Sequence, residues 1–131
     1  MIGVDTNVLI RHLTQDDPVQ SPKATQFIEQ MLTADSPGFV SIIVIAETVW
    51  VLERIYGQSN VQLANIIERV LQIANLRTES EQVVFEAMVA IKQNRASFAD
   101  ALIGALHARA GCTTTVTFDR RAARLREFEL L

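Results

Sequence analysis

Four acidic residues, Asp5, Glu47, Asp100 and Asp119, have neighbours that set them apart from ordinary surface charge. Asp5 directly follows Ile2-Gly3-Val4, and Asp119 directly follows Thr114-Thr115-Val116-Thr117-Phe118. Each therefore stands at the end of an expected β-strand. Glu47 interrupts the apolar run Ile42 to Leu52, and its helical neighbours Ile43, Val44, Trp50 and Val51 cannot pair with a carboxylate. Buried there, it would cost several kcal/mol or change protonation unless something outside the helix compensated; the alternative is that it faces water. Asp100 sits among small residues, Ala99, Ala101, Gly104, Ala105 and Ala108, which let another element or a ligand approach. Plain alternatives exist: Asp5 and Asp119 are good helix caps, and Ser97-x-x-Asp100 is close to a capping box, which however prefers Glu or Gln in the last position.

Gathered in one place, these carboxylates would repel strongly. Two unit charges about 4 Å apart repel by roughly 4 kcal/mol at an effective dielectric near 20. Only protons or cations stabilise such a group. All-oxygen donors suit hard divalent ions, magnesium or manganese. An ion so held activates water and offsets charge on a phosphate, which is the chemistry of phosphodiester hydrolysis.

The elements that must position these residues can be read from spacing and caps. Met1 to Val4 reads as a short buried strand, and Thr6 to Leu13 as a short helix. Asp16-Asp17-Pro18 is a turn into the next helix, Ser21 to Leu32, whose Ala24, Phe27, Ile28, Met31 and Leu32 recur at helical spacing. Ser36-Pro37-Gly38 breaks the chain before a second strand at Phe39 and Val40. Ser41 caps a helix through Ile55, closed by Gly57. Further helices are expected from Ser59 or Asn60 to about Ala74, from Ser80 to about Gln93, and from Ser97 to about Ala110. Strands are expected at Leu76 to Thr78 and Thr113 to Phe118, then a short helix Arg120 to Leu125 and an edge strand Phe128 to Leu130. Strands alternating with helices imply an α/β fold whose parallel sheet is covered on both faces. Ligands gather at the C-terminal edge of such a sheet, where Asp5 and Asp119 fall.

Bulk properties narrow the setting. The 131 residues fit one domain, and 49% hydrophobic with 21% charged residues is globular rather than disordered composition. A single cysteine, Cys112, excludes an internal disulfide and a Cys-based zinc site, and suits a reducing compartment. No signal peptide or membrane span is readable, so a cytoplasmic protein is expected. The net charge of −3 is no basic footprint for nucleic acid, although Arg120, Arg121, Arg124 and Arg126 cluster directly after Asp119.

Taken together, Val4-Asp5-Thr6-Asn7-Val8-Leu9-Ile10, Ser41 through Glu47, Phe98-Ala99-Asp100-Ala101-Leu102-Ile103 and Thr117-Phe118-Asp119 resemble the PIN-domain ribonucleases, most closely the VapC toxins of bacterial toxin–antitoxin pairs. The resemblance spans essentially the whole chain, in the family's order and spacing. It implies a single PIN domain over residues 1–131. The implied fold is a three-layer sandwich, with a short, mostly parallel central sheet flanked by helices on both faces. It further implies that Asp5, Glu47, Asp100 and Asp119 form the acidic quartet, with Asn7 and Thr117 supporting it by hydrogen bonds. A Mg2+ or Mn2+ ion, an RNA substrate, a cognate antitoxin protein and a homodimer are implied with them. Asp5, Asp100 and Asp119 are the expected metal ligands.

Other residues attract simpler expectations. Arg120, Arg124 and, more weakly, Arg11 are candidates to contact RNA phosphates, against solvated charges paired locally with Glu127 or Glu129. His12 and His107 lack metal-ligand spacing. Trp50 is expected in the core or an interface, and Cys112 as a small buried residue. The apolar helices Ser21 to Leu32 and Ile42 to Ile55 carry more apolar surface than one small core can bury, which suits a partner. Two other functions compete. A haloacid-dehalogenase-like phosphatase would want a second Asp two residues after Asp5, where Asn7 stands, and would not need Glu47. A non-catalytic RNA- or protein-binding module would not need the acidic set at all.

Overall fold

The computed structural model describes residues 1–131. Five short strands alternate with six α-helices. They are β1 (Ile2–Gly3), α1 (Thr6–Thr14), α2 (Gln20–Gln26), β2 (Gly38–Val40), α3 (Ile42–Arg54), α4 (Asn60–Leu71), β3 (Leu76–Thr78), α5 (Glu81–Lys92), α6 (Phe98–Arg109), β4 (Thr115–Thr117) and β5 (Phe128–Leu130). This is the expected α/β class, and every strand pairing is parallel. The strands fall into two sheets: β1-β2-β3 and, separately, β4-β5.

Side-chain caps explain most helix starts. Asp5 Oδ1 accepts the Thr6 N–H at 2.8 Å, and Ser41 Oγ accepts from Val44 at 3.3 Å. Ser59 and Gln62 form a reciprocal capping box, at 3.3 and 2.9 Å. Ser97 Oγ accepts from Asp100 at 3.1 Å. Val19 before α2 offers no side-chain cap, and neither does Ser80 before α5. The backbone of Ser80 is left-handed (φ 51°) and its side chain caps nothing, because a cap reaches the first amides from extended backbone.

Several boundaries differ from the sequence reading. The helix expected over Ser21 to Leu32 is α2 followed by one π-helical turn, Phe27–Met31. The helix from Asn60 stops at Leu71, and the segment after Asp119 tightens only into a 3-10 turn, Ala122–Arg124. β4 keeps three residues of the six-residue run. Cys112 is exposed rather than buried, since it lies in the loop before β4.

One cluster of 26 buried residues joins Val4, Val40 and Leu76 beneath the larger sheet to Ala122, Leu125 and Phe128 beside the smaller. Gly38 is where β2 meets its neighbours: a Cβ there would lie 2.7 Å from Leu32 Cδ1 and 2.9 Å from Leu76 Cδ1. Not all apolar surface is buried. Ile43 and Trp50 on α3 and Ile55 just beyond it are exposed, so Trp50 is no core residue. No helix is long and apolar enough to cross a membrane.

Candidate active site

Asp5 leaves the C-terminal end of β1 with Val4 buried on one side and Thr6 on the other. Glu47 lies in the middle of α3, where Ser41 has fixed the helix start. The two carboxylates line one cavity of about 390 Å³, together with Thr6, Asn7, Ile10, Arg11, Val51, Ile55 and Tyr56. The contact of α1 with α3 makes this possible, because it turns the start of one helix toward the middle of the other.

Glu47 does not sit buried without a partner, as its apolar neighbours implied. It is exposed. The run Ile42 to Leu52 buries Ile45, Thr48, Val49 and Leu52, and Glu47 falls on the opposite stripe between Ile43 and Trp50. What distinguishes Glu47 is its place in one cavity with Asp5, with no ion pair to either carboxylate. The chain has three ion pairs, Arg11–Asp16, Arg109–Glu86 and Arg126–Glu127, and none involves Asp5, Glu47, Asp100 or Asp119.

Asp100 is half-buried in the first turn of α6, its amide held by Ser97. Asp119 follows β4 by two residues. Its Oδ1 accepts the amides of Arg121 at 2.8 Å and Ala122 at 3.4 Å, so it caps the turn as well as presenting a carboxylate. Thr117 Oγ1 accepts the Asp119 N–H at 3.0 Å and fixes its backbone. Asn7 lines the acidic cavity and also a neighbouring one of about 380 Å³ that contains Arg11, Lys23 and Phe27. Within one chain Asp5 and Glu47 come together, whereas Asp100 and Asp119 lie outside their cavity. No three His, Cys, Asp or Glu side chains form a group able to hold a metal ion.

A family model for the PIN domain matches residues 2–127. The chain belongs to the PIN-domain family. No curated protein matches the chain significantly. PIN domains are generally nucleases and typically use divalent metal ions.

The donors of this PIN domain fit such an ion. Asp5 Oδ2 has no protein partner, and Thr6 Oγ1, buried in the wall of the same cavity, makes no hydrogen bond. A buried hydroxyl without a partner costs about 1–3 kcal/mol, and a ligand or its water would relieve it. Carboxylate and hydroxyl oxygens are what a hard cation selects.

Two cavity residues escaped the sequence reading. Thr6 begins α1, and nothing in its spacing marks its hydroxyl as a cavity group. Tyr56, just beyond α3, donates its hydroxyl to Asp16 Oδ2 at 2.7 Å. That bond, with one from the Thr14 hydroxyl, holds the Asp16 carboxyl below the usual carboxylate range. Asp16 in turn meets Arg11 Nη1 at 3.4 Å, and Gln20 Oε1 accepts from Arg11 Nε at 2.8 Å. Arg11 is thus held at the rim of the acidic cavity, the only cation in its wall. No spacing rule would have found this, since Tyr56 and Asp16 meet only through the packing of α1 against α3.

Proposed function

We propose that this PIN domain is a magnesium- or manganese-dependent endoribonuclease, the toxin of a type II toxin–antitoxin pair acting in the cytoplasm. Its reaction is hydrolysis of RNA phosphodiester bonds at a site drawn from Asp5, Glu47, Asp100 and Asp119. The observation that carries the reading is the shared cavity of Asp5 and Glu47, two uncompensated carboxylates beside a tethered arginine.

Asp5, Asp100 and Asp119 are the proposed metal ligands, with Glu47 oriented toward the attacking water. When bound, the ion supplies positive charge that offsets carboxylate repulsion and the negative charge gathering on the phosphate. Glu47, exposed and unpaired, can hydrogen-bond that water and take its proton. Arg11 keeps N–H groups free for a phosphate oxygen while Asp16 and Gln20 fix its position. Attack by water in line leaves a 5′ phosphate and a 3′ hydroxyl. Thr117 holds the Asp119 amide, and Arg120 and Arg124, which have no carboxylate partner, are the proposed contacts to the RNA backbone.

The antitoxin and a homodimer belong to the same proposal. The exposed apolar residues Ile43, Trp50 and Ile55 support a protein partner.

The test is cleavage of single-stranded RNA with magnesium, manganese or EDTA. Activity should need the metal, and Asp5→Asn should lower the rate by about 100-fold or more. Cleavage that survives both EDTA and Asp5→Asn would refute the assignment.

A further inference from the structure

We infer that the cavity beside the acidic one is a subsite for the neighbouring nucleotide of the RNA strand, which lays its phosphate on Lys23 and Arg11 and its base on Phe27. This rests on the ribonuclease reading above and extends it from one phosphodiester bond to the strand that carries it.

The two cavities are of similar size, about 380 and 390 Å³, and both suit small organic groups. They share a wall. Gly3 and Val4 line one, Asp5 and Thr6 line the other, and Asn7 and Arg11 line both. Asn7 and Arg11 are four residues apart on α1, so they stand on one face of that helix as a ridge between the two. A strand that leaves the acidic cavity over this ridge enters the second one directly.

The charges of the two walls are opposite. Asp5 and Glu47 share the acidic cavity with one cation, Arg11, whereas the wall of the second holds two cations, Arg11 and Lys23, and no carboxylate. Lys23 is exposed and takes part in none of the chain's ion pairs. Arg11 donates Nε–H to Gln20 and Nη1–H to Asp16, which leaves its Nη2 group for an anion. Phosphate is the anion that RNA presents at every nucleotide, and Lys and Arg are its usual contacts.

The apolar part of the wall matches the rest of a nucleotide. Phe27 is half-buried; it packs against the core and lines the cavity. It also opens the π-helical turn Phe27–Met31, in which Leu32 N–H donates to Phe27 O, five residues back, at 3.2 Å. Such turns are rare and often mark functional sites. An aromatic ring beside cations holds single-stranded nucleic acid whatever its sequence, since every base offers a π face. A free phosphate would leave Phe27 without a role, and an apolar peptide would leave both cations unmatched. A nucleotide engages both.

The test is binding of a fluorescently labelled single-stranded RNA oligonucleotide in EDTA, followed by anisotropy, so that no metal-dependent cleavage intervenes. Lys23→Met keeps the stem and removes the charge; Phe27→Leu keeps apolar bulk and removes the ring. Each should weaken binding by about 10-fold, and Lys23→Met should reduce the log–log salt slope by about 0.7–1. Lys23→Arg and Phe27→Tyr should bind as the wild type does. With magnesium or manganese present, Lys23→Met and Phe27→Leu should raise KM for RNA more than they lower kcat. Unchanged RNA affinity in either variant overturns the inference, as does a loss confined to a protein ligand, which would make the cavity a protein-docking site. If Phe27→Leu fails to fold, Lys23→Met, a change at an exposed position of α2, decides alone. Absence of cleavage by the wild-type chain with either metal would instead defeat the ribonuclease reading, and the titration in EDTA would still judge the subsite.

Discussion

Asp5 and Asp119 both end a parallel strand and both cap the turn that follows, yet the regions that carry them are built differently. Asp5 rises from a three-stranded sheet packed over Val4, Leu9 and Val40, all buried in the main core. Asp119 rises from a two-stranded pair whose β4 is largely exposed and whose anchorage is on one side, through Phe128 and Leu125. A two-stranded unit has little stability of its own. The first region holds its carboxylate by core packing; the second holds its carboxylate by a local hydrogen-bond frame, Thr117 and the amides of Arg121 and Ala122. A strand end fixes where a carboxylate points, but only the sheet it joins fixes what that carboxylate meets.

Truncating the anchor on each side should expose this difference most strongly. Phe128→Ala should cost about 3–5 kcal/mol and Leu9→Ala about 2–5 kcal/mol. Their signatures should differ. Loss of Leu9, fully buried under the larger sheet, should lower the whole unfolding transition. Loss of Phe128 should speed amide exchange in Thr115–Thr117 and Phe128–Leu130 first, while the amides of β1-β2-β3 stay protected. Denaturant melts with native-state exchange would separate the two. Uniform loss of protection in Phe128→Ala would show that the strand pair and the larger sheet are one cooperative unit.

The same contrast explains what could be read from sequence. Strand ends finishing in Asp, serine caps and helical spacing are local signals. They gave all five strands, the six helices to within a few residues, and the candidate acids. For Glu47 the sequence leaves burial and exposure both open, for a local reason as well: an apolar run says that a helix is buried somewhere, not which stripe faces water. Burial of Ile45, Thr48, Val49 and Leu52 left Glu47 outside. The tether of Arg11 by Asp16, Gln20 and Tyr56 was illegible, because it joins the end of α1 to the end of α3 through tertiary packing alone. The division into two sheets was equally out of reach, since pairing of distant strands leaves no mark in their spacing.

A smaller effect would sharpen the comparison at the surface. Arg126 pairs with Glu127 at 3.3 Å, whereas Arg124, exposed just after Asp119, has no carboxylate partner. If the second region meets the RNA backbone, Arg124→Glu should weaken RNA binding and reduce the log–log salt slope by about 1. Lys23→Glu, in the wall of the cavity next to the first region, gives the matching measurement there. Equal salt slopes for wild type and Arg124→Glu would assign that arginine to solvent.

The smallest effect concerns proton linkage in the first region. His12 on α1 lies 2.9 Å, through Nδ1, from Thr25 Oγ1 on α2. Partial burial pushes its pKa below the ordinary 6.5; Glu29 pulls the other way and Arg69 adds to the lowering. Below the unfolded-state pKa, the unfolded chain then binds more proton than the folded one. Stability should therefore be full above about 6.5 and fall as pH drops from there toward the lower folded value. His12→Gln, which keeps a hydrogen-bonding group but cannot titrate, should remove that acid-side loss. Unfolding midpoints compared from neutral pH to about pH 5 would show it. Parallel curves for the two proteins would mean that the proton is taken up elsewhere, and that the contact of α1 with α2 is indifferent to the charge on His12.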